Sequence, residues 1–551
     1  MLPLTIMKIF IKNLKARFIS HIYVGALFIF FFPGFISCQT QLPYLIRDEI
    51  KPVNAPFEIE QFKRPVFPDN YFDIRDFGAK EGGEVKCTEA IQRAIVHAAN
   101  NGGGYVIIPK GKWLTGAIHL DNNISLYLDK DAELVFSQDP KDYLPVVFSR
   151  HEDVECYKYS AFIYANNKTN IAITGAGTLN GQGKTWWDYK TKKKESEVLL
   201  YEMGKNNVPV EKRIFDGTDG RELRPAFFQP MNCTNVLVEG VTFLFGAFWT
   251  ITPTYCDNVI IRKVKIITYG DLGDTPNGDG VNPSSSKNVL IEDCEFSTGD
   301  DCIAIKAGRD NDGLRVNKPC ENIIIRNCKG LIGHGGIVIG SETSGGIRNI
   351  FAENCQFYGT DRVVRIKTTR GRGGIIENMW FKNLSGDSIQ KEALRINMRY
   401  NPQGPLVERL PAQPVTKSTP IIRNINFENI KITNSKNYSI ELLGLPEMLM
   451  ENISFKDIYL SSTKGINLSD VNNISFKNIF ISSKELPVVE ILDGKNIEFE
   501  KIEFAGKSKN LFNIKGKNSQ NIVLKKSNIG DKNEAFSFGE EASHKSIIIE
   551  D

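Results

Sequence analysis

A short strand-like pattern is repeated along most of the 551 residues, and it limits the folds that are possible. Each copy is an asparagine followed by about eight residues in which apolar and polar side chains alternate, as in NISFKDIYL from Asn452. Alternation with a period of two is typical of a β-strand that buries one face. Clear copies begin at Asn235, Asn258, Asn288, Asn322, Asn349, Asn378, Asn424, Asn452, Asn473, Asn496 and Asn521, and a weaker copy begins at Asn170.

The spacing of these asparagines predicts how the strands assemble. From Asn235 onward, successive copies lie 21 to 46 residues apart, a period range that indicates a solenoid. No helical crossover pattern separates the copies, so we expect an all-β, right-handed parallel β-helix. The asparagine suits a turn, where its amide can bond the backbone or the asparagine of the next coil. The two largest gaps, 170–235 and 378–424, are the predicted walls of a cleft, since insertions in solenoids emerge as loops.

Three of the ten cysteines fall at one position of the repeat, six residues after its asparagine. They are Cys294, Cys328 and Cys355, and other coils carry aliphatic residues such as Val264 there. Because these cysteines replace core residues, we expect a stack of buried thiols rather than disulfides. The pattern leaves open the state of six more cysteines, which are Cys87, Cys156, Cys233, Cys256, Cys302 and Cys320.

One helix is predicted ahead of the repeats, from Thr88 to Asn100. Thr88 can cap its start, Ile91 and Ile95 share one face, and the glycines at 102–104 end it. A solenoid needs a cover on its open end, and this short helix can provide the N-terminal one. We therefore expect residues 70–551 to form a single β-helix domain, preceded by a linker over 39–69.

The first 38 residues have the layout of an export signal. An apolar run over 23–32 is shorter than the roughly 20 residues that a membrane span needs. The run leads to Phe35-Ile36-Ser37-Cys38, which resembles the lipobox of bacterial lipoproteins, in which the cysteine is lipidated. Two outcomes remain open: secretion, or a periplasmic or cell-surface protein attached to a membrane through lipidated Cys38. The cationic start before the run consists of Lys8, Lys12, Lys15 and Arg17.

Four polar motifs lie about one coil apart in the middle of the repeats. The steps from Asp279 to Asp300, to His334 and to Arg365 are 21, 34 and 31 residues. We therefore expect the motifs to stack along the helix axis within roughly 15 Å. Asp300 and His334 each lie twelve residues after their asparagine, which predicts equivalent places on neighbouring coils. The motifs are Asn277-Gly278-Asp279, Gly299-Asp300-Asp301, Gly333-His334-Gly335 and Arg365-Ile366-Lys367.

Each motif alone has an ordinary structural explanation. A Gly-Asp-Asp triplet is commonly a solvated turn, a histidine between glycines is commonly a loop residue, and an Arg-x-Lys pair commonly lies on an exposed strand face. Their alignment over four successive coils favours a functional site instead. Three close carboxylates repel one another, so at least one of Asp279, Asp300 and Asp301 should hold a proton at working pH.

This set of groups suits the hydrolysis of an acidic sugar. One carboxylic acid can protonate the leaving oxygen while other carboxylates activate water, and an inverting enzyme keeps acid and base about 6.5–9.5 Å apart. Carboxylates one coil apart on side chains that can splay meet this range. Arg365 can bind a substrate carboxylate through two hydrogen bonds, and Lys367 adds a second positive charge. Acid chemistry beside cations predicts a uronic acid substrate.

The motifs resemble those of glycoside hydrolase family 28, the polygalacturonases and related pectin hydrolases. That family carries Asn-Thr-Asp, Gly-Asp-Asp, Gly-His-Gly and Arg-Ile-Lys in this order; three match here, and Gly278 replaces the threonine of the first. Segments around Asp73 and Trp249 are also similar, and the resemblance spans about residues 70–460. It implies a pectin-lyase-like β-helix that hydrolyses α-linked galacturonic acid in pectin with inversion and without a metal or cofactor.

The resemblance also implies a role for each residue of the catalytic motifs. Asp300 would be the general acid. Asp279 and Asp301 would hold and deprotonate the attacking water, and His334 would tune the surroundings of the acid.

Substrate binding follows from the same resemblance. Arg365 and Lys367 would bind the substrate carboxylate, with Asn277 assisting. The segment Gly340-Ser341-Glu342-Thr343-Ser344-Gly345-Gly346 is similar to stretches in bacterial exo-acting members. Together with the two long insertions, it favours release of single residues from chain ends.

Two functions of other kinds remain open. A pectate-lyase-type enzyme shares the fold but usually recruits Ca²⁺, so chelator sensitivity and an unsaturated product would reveal it. A non-catalytic glycan-binding module or adhesin would bind sugar without turnover, and would leave the three aspartates without a purpose.

Charge and the outer faces of the coils limit the partners. A formal net charge of +3 on this length is too small to indicate nucleic acid. A solenoid with polar coil faces has no edge that demands a partner, so we expect a monomer that binds pectic polysaccharide or oligogalacturonide.

Overall fold

A computed structural model of the chain describes residues 42–401, 408–506, 509–539 and 541–550. The export signal predicted over 1–38, including Cys38, lies outside these residues. The chain divides into Met1–Pro43, of which only Leu42 and Pro43 are described, and a second compact unit, Tyr44–Asp551. No helix in the described ranges is long and apolar enough to cross a lipid bilayer.

The segments predicted as strands form columns of parallel strands, and the chain winds through the columns coil by coil. Val236, for example, pairs with Val259, which pairs with Val289 on the following coil. Each strand therefore meets the equivalent strand one repeat away, as period and alternation predict. The expected all-β parallel β-helix is confirmed.

The first column contains the strands that carry the repeat asparagines. Its inward side chains are almost completely buried, as alternation requires. Its separate strands are Tyr71–Asp73, Gly104–Ile108, Ile124–Leu128, Thr169–Gly175, Thr234–Glu239, Asp257–Arg262, Lys287–Glu292, Cys320–Arg326, Ile347–Glu353, Gln520–Lys525 and Ile547–Glu550.

The second and third columns complete each coil. The second contains Gly111–Thr115, Ala132–Phe136, Thr178–Asn180, Thr242–Leu244, Lys265–Ile267, Glu295–Ser297, Lys329–Ile332 and Gln356–Tyr358. The third contains Ile118–His119, Ile163–Asn166, Phe228–Met231, Ile303–Ile305, Ile337–Ile339, Val364–Lys367, Leu394–Asn397, Phe512–Lys515 and Phe536–Phe538. Long strands that run through more than one column are Ile375–Asp387, Ile421–Leu443, Met450–Ser483 and Val489–Phe504.

Short strands and helices lie between the columns or at their ends. The additional strands are Val147–His151, Val154–Lys158, Ile214–Phe215, Tyr269–Gly270 and Gly273–Asp274. The α-helices are Thr88–Asn100, Lys184–Trp187, Tyr189–Lys192, Lys194–Lys205, Asp310–Val316 and Lys532–Ala535. The 3₁₀ helices are Ile74–Phe77, Pro140–Tyr143, Val210–Lys212, Thr218–Gly220 and His544–Ser546.

The first helix has the predicted bounds, and Ile91 and Ile95 are buried as expected. The predicted cap by Thr88 is wrong. Cys87 occupies the position before the first helical turn, and the Thr88 hydroxyl instead accepts a hydrogen bond from Gly116 N at 2.6 Å. The Thr88 hydroxyl therefore bonds a residue distant in sequence, whereas the local pattern predicted a bond to the start of the helix.

The repeat asparagines form a ladder along the outside of the coils. Their φ angles lie between 52° and 59°, a left-handed region that asparagine tolerates well. The amide of Asn322 donates to Asn288 at 3.1 Å, and that of Asn349 donates to Asn322 at 3.0 Å. Asn288 itself donates to Asp257 rather than to Asn258. The prediction that the asparagine bonds the next coil is confirmed at most steps.

Stacks of like side chains fill the core. Cys294, Cys328 and Cys355 are buried at equivalent positions of neighbouring coils, as the repeat alignment predicts. All nine described cysteines are buried and unpaired. Further along, phenylalanines stack with ring centroids 4.8 to 4.9 Å apart. That spacing is the rise between strands, so each coil repeats the packing of the one before.

Residues 44–69, within the segment predicted as a linker, lie against the coils. Asp48 forms an ion pair of 2.9 Å with Arg262, and Arg64 forms one of 2.8 Å with Glu239. Arg326 donates to Lys51 O at 2.7 Å. The contacts span several coils, so this segment straps the outside of the first column.

Candidate active site

The four polar motifs meet in one place because their strands pair in register. Val281 pairs with Ile303, Ile303 with Ile337, and Ile337 with Val364. Every motif lies within four residues of one of these four positions. The predicted stacking along the axis is therefore observed.

The register also shows which motif residues are equivalent. Asp279 and Asp301 both lie two residues before a paired position, so they are neighbours on adjacent coils. Asp300 and His334 both lie three residues before one. His334 N donates to Asp300 O at 2.9 Å, and His334 Nδ1 lies 3.1 Å from Asp300 Oδ1. The equivalence predicted from the twelve-residue offset is confirmed.

The carboxylates differ in their surroundings. Asp279 and Asp301 are 3% and 1% exposed, whereas the Asp300 side chain is 21% exposed. Asn282 Nδ2 donates to Asp279 Oδ2 at 2.8 Å. Asp301 Oδ1 is buried without a hydrogen-bond partner among the residues that the structure describes. An unpaired buried acceptor that faces a pocket is a place for water or ligand to bind.

The glycine that departs from the family pattern is closely packed. A Cβ on Gly278 would lie 2.7 Å from both Cβ and O of Thr275. Gly278 O also accepts a hydrogen bond of 2.6 Å from Thr268 Oγ1. Threonine at this position would require Thr275 to move, so glycine is matched to the local backbone here.

The cationic motif contacts Asp301 across one intervening coil. Lys367 Nζ lies 2.8 Å from Asp301 Oδ2, and Arg365 Nη1 lies 3.9 Å from Asp301 Oδ1. Both cations face the ring of Tyr400, at 5.4 and 5.3 Å from its centroid. Ile366, between them, is buried in the core as predicted.

The proton distribution follows from burial and the neighbouring charges. Burial and the charge of Asp300 raise the pKa of Asp279 to about 7. Burial would also raise the pKa of Asp300, but the hydrogen bond and charge of His334 outweigh it and hold that pKa well below its ordinary value. The same hydrogen bond raises the pKa of His334 to about 9. The proton that the sequence predicts on at least one of the three aspartates therefore lies on Asp279 below pH of about 7, beside an ionic Asp300–His334 pair.

Sequence reasoning did not identify Lys306. Its ammonium is 3.7 Å from Asp279 Oδ2 and 3.2 Å from Glu342 Oε2, and it faces the Trp249 ring at 4.4 Å. Burial would lower the pKa of Lys306, but the charges of Glu342 and Asp279 outweigh it and hold that pKa well above its ordinary value. One sequence signal was available. Lys306 lies three residues after the paired Ile303, and Lys367 lies three residues after the equivalent Val364 two coils later.

Two more cations come from the first long insertion and were also missed. Lys190 Nζ donates a short hydrogen bond to Asn277 Oδ1, and Arg224 Nη2 donates to the same oxygen at 2.8 Å. No sequence signal could have identified them, because the insertion has no repeat that fixes its register. The insertion therefore forms one wall of the site, as the gap 170–235 predicts.

These groups line a pocket of about 340 Å³, within the range of small-ligand sites. Asn277, Asp279, Asp300, Asp301, His334, Arg365 and Lys367 all line it, together with Lys190, Lys306, Glu342 and Tyr400. A larger groove of about 670 Å³, lined by Tyr459 and Phe480 on later coils, has no comparable group of acids. Within the described ranges, no cluster of three or more His, Cys, Asp or Glu side chains is arranged to hold a metal ion.

Comparisons with known proteins identify the family of the chain. Residues 214–466 match the family described as glycosyl hydrolases family 28. The crystal structure of a hyperthermoactive exopolygalacturonase from Thermotoga maritima is 37% identical, covers 77% of this chain and 94% of that one, and superposes with a TM-score of 0.70.

Curated relatives are more distant in sequence. A probable polygalacturonase of Vitis vinifera is 29% identical over 381 residues, which is 67% of this chain and 70% of that protein. An exo-poly-alpha-D-galacturonosidase of Dickeya chrysanthemi is 26% identical over 428 residues, which is 73% of this chain and 69% of that protein. On its four motifs, its β-helix and these similarities, the chain belongs to glycoside hydrolase family 28 and is a glycoside hydrolase.

Proposed function

We propose that the protein is an exo-acting hydrolase that releases α-linked galacturonic acid residues from pectic chains by an inverting acid/base mechanism. The observation that carries the proposal is the meeting of Asp279, Asp300 and Asp301 with Arg365 and Lys367 in one pocket. The carboxylates supply acid and base, and the cations match a substrate that bears a carboxylate on each sugar.

Asp300 is the general acid, and His334 supplies its proton. The imidazolium and the carboxylate are 3.1 Å apart, within direct transfer distance. When the substrate fills the pocket and excludes water, a neutral pair costs less to desolvate than an ion pair, so the proton moves to Asp300. Asp300 then protonates the glycosidic oxygen as its bond to the anomeric carbon breaks.

Asp279 and Asp301 hold the attacking water. Lys367 binds Asp301 Oδ2 and leaves Oδ1 to accept a hydrogen bond from that water. Asp279 carries a proton below pH of about 7, so Asp301 is then the base that takes the proton of the water. The water oxygen bonds to the anomeric carbon from the face opposite the leaving group, and the configuration inverts.

Arg365 and Lys367 bind the substrate carboxylate, and Asn277 assists at the other end of the motif stack. Arg365 is 14% exposed at its side chain and is held near Tyr400, so its guanidinium is positioned before substrate arrives. Lys367 contacts Asp301 as well, which couples recognition of the substrate to the water-binding carboxylate.

Exo action is supported by what surrounds the pocket. The first insertion contributes Lys190, the segment 340–346 contributes Ser341 and Glu342, and the second gap contributes Tyr400. Walls on several sides suit a chain end better than a continuous chain. The 37% identical structure from Thermotoga maritima is named an exopolygalacturonase, and this name also supports exo action.

We further propose that residues 70–551 form the single catalytic domain of an exported protein that works as a monomer. The support is the cationic and apolar layout of 1–38 and its ending at Cys38. Metabolic labelling with a fatty acid, compared between wild type and Cys38→Ala, separates lipidation from plain secretion. A wild-type chain retained in the cytoplasm would contradict export.

A time course with EDTA tests the function, using polygalacturonic acid and defined oligogalacturonides. Products are separated by anion-exchange chromatography. Monomer alone from the first minutes is expected. A ladder of saturated oligomers would mean endo cleavage, and loss of activity with EDTA together with an unsaturated product would mean a lyase. Sugar binding without any product would favour the non-catalytic alternative.

A further inference from the structure

The site contains cations at both ends of its carboxylate cluster. Asn277 lies on the first of the four motif coils and Arg365 on the fourth, with Asp300 on a coil between them. Lys190 is hydrogen-bonded to Asn277, so its charge stands at the first-coil end. The bond to be cleaved lies near Asp300, and positive charge therefore flanks it on two sides.

Lys190 is held in place by a well-anchored segment. Trp186 is 1% exposed and packs on Tyr143 with ring centroids 5.5 Å apart. Trp187 Nε1 donates to Gly246 O at 3.0 Å. Lys190 follows about one helical turn later, and its half-buried side chain lines the pocket. Its ammonium is thus delivered to the site before any substrate binds.

Lys190 can leave Asn277 without leaving that amide oxygen unpaired. Arg224 donates to the same oxygen, and its side chain is 1% exposed. It also donates to Pro276 O at 2.6 Å and faces the Phe248 ring at 4.8 Å, so it is fixed. Two donors on one oxygen, one fixed and one on a flexible stem, make Lys190 the group that can turn to a ligand.

We propose that Lys190 binds the carboxylate of the galacturonate unit on the opposite side of the cleaved bond from the unit held by Arg365 and Lys367. This proposal rests on the function proposed above. The enzyme then recognises two adjacent acidic units, one through each cationic group. Methyl esterification of either unit removes one ion pair. The pair with Lys190 is lost from one unit, and the pair with Arg365 and Lys367 is lost from the other.

The test uses digalacturonate and its two mono-methyl esters, with each ester on a defined unit. Wild type should lose about 10-fold or more in kcat/KM on each ester, as expected for a lost charge-assisted pair. Lys190→Met should lose a similar factor on the free diacid and show no further loss on one of the two esters. Arg365→Gln should show a smaller further loss than wild type on the other ester, because Lys367 alone then binds that carboxylate. Lys190→Arg should keep both sensitivities.

A matched control is available on the same segment. Lys192 is exposed, points to Asp188 with an ion pair of 2.6 Å, and does not line the pocket. Lys192→Met should keep wild-type kcat/KM on all three substrates. Because Lys190 is only half-buried, thermal unfolding of its variants should match wild type and exclude misfolding.

Two results would overturn the inference. Either Lys190→Met retains full sensitivity to both esters, or Lys190→Met and Arg365→Gln lose sensitivity to the same one. In both cases wild type still hydrolyses digalacturonate, and the proposed function stands. Failure of the wild type on every galacturonan would instead contradict that function.

Discussion

Lys367 lies two coils after Asp301 and donates a hydrogen bond to it, with 2.8 Å between Nζ and Oδ2. The coil between them presents Gly335 and Gly340 at the equivalent positions, so no side chain stands in the way. A Cβ on Gly335 would lie 3.2 Å from Asp301 Oδ1 and 2.5 Å from Val338 Cγ2. The glycines of the Gly-His-Gly motif and the segment after it thus make room for a contact between acid and cation.

Gly335→Ala should therefore impair the site more than the fold. The new methyl group presses on Asp301 and Val338, and we expect kcat to fall by about 10-fold or more with a loss of roughly 1–3 kcal/mol in stability. Steady-state kinetics and denaturant unfolding measure the two effects. Gly371→Ala is a control for lost stability alone: its φ of 96° strains an alanine, but nothing lies within 4 Å of a Cβ there, so stability should fall while kcat stays at the wild-type value. Unchanged kcat in Gly335→Ala would contradict the geometric role.

Asp300→Asn should remove general-acid catalysis. We expect a loss of about 10² to 10⁴ in kcat on oligogalacturonides, because the amide cannot protonate the leaving oxygen. A substrate with a good leaving group, such as a nitrophenyl galacturonide, should recover much of that loss. Retention of more than a few per cent of the wild-type rate on oligogalacturonides would rule out the acid role.

The rate should fall as pH rises through about 7. Asp279 then loses its proton and becomes a second negative charge beside Asp301. This charge repels both the substrate carboxylate and the Asp301 carboxylate. The pH dependence of kcat/KM reports the free enzyme and is the measurement required. In Asp279→Asn the residual activity should lack this descending limb. A limb that persists unchanged in the variant would assign it to another group.

Asp279 should also make folding stability depend on pH. Its folded-state pKa is raised from 3.8 to about 7, so the unfolded chain releases this proton first and stability falls as pH rises over that window. The full effect corresponds to roughly 4 kcal/mol. The melting temperature of Asp279→Asn minus that of wild type should rise from pH 4 to pH 7 and level off above. A difference independent of pH would refute the buried proton.

The thiol stack should behave as part of the apolar core. Cys328 is fully buried between Cys294 and Cys355, so Cys328→Ser places a hydroxyl there and should cost about 1–3 kcal/mol. Cys328→Val should cost less, since Val264 occupies the equivalent position two coils earlier. Urea unfolding of both variants makes the comparison. Equal stability of the serine variant and wild type would argue against burial of this thiol.

The repeat made the fold and the motif stack predictable from sequence. Alternation set which side chains of a strand such as Asp257–Arg262 enter the core, and the spacing set which strand it meets. Asp279, Asp300, His334 and Arg365 could be brought together in advance, because each lies at a fixed offset from a strand of known register. In a solenoid, neighbours in space are neighbours in the repeat, and a local pattern carries long-range information.

Tertiary structure alone decided the rest. Lys190 and Arg224 come from an insertion without a repeat, so only its packing through residues such as Trp186 aims them at Asn277. Thr88 bonds Gly116 instead of its own helix, because a partner distant in sequence lies closer to its hydroxyl. Sequence predicted that one of three aspartates holds a proton. Which one does so depends on burial and on the distance to His334 and Lys306, and these are properties of the assembled coils.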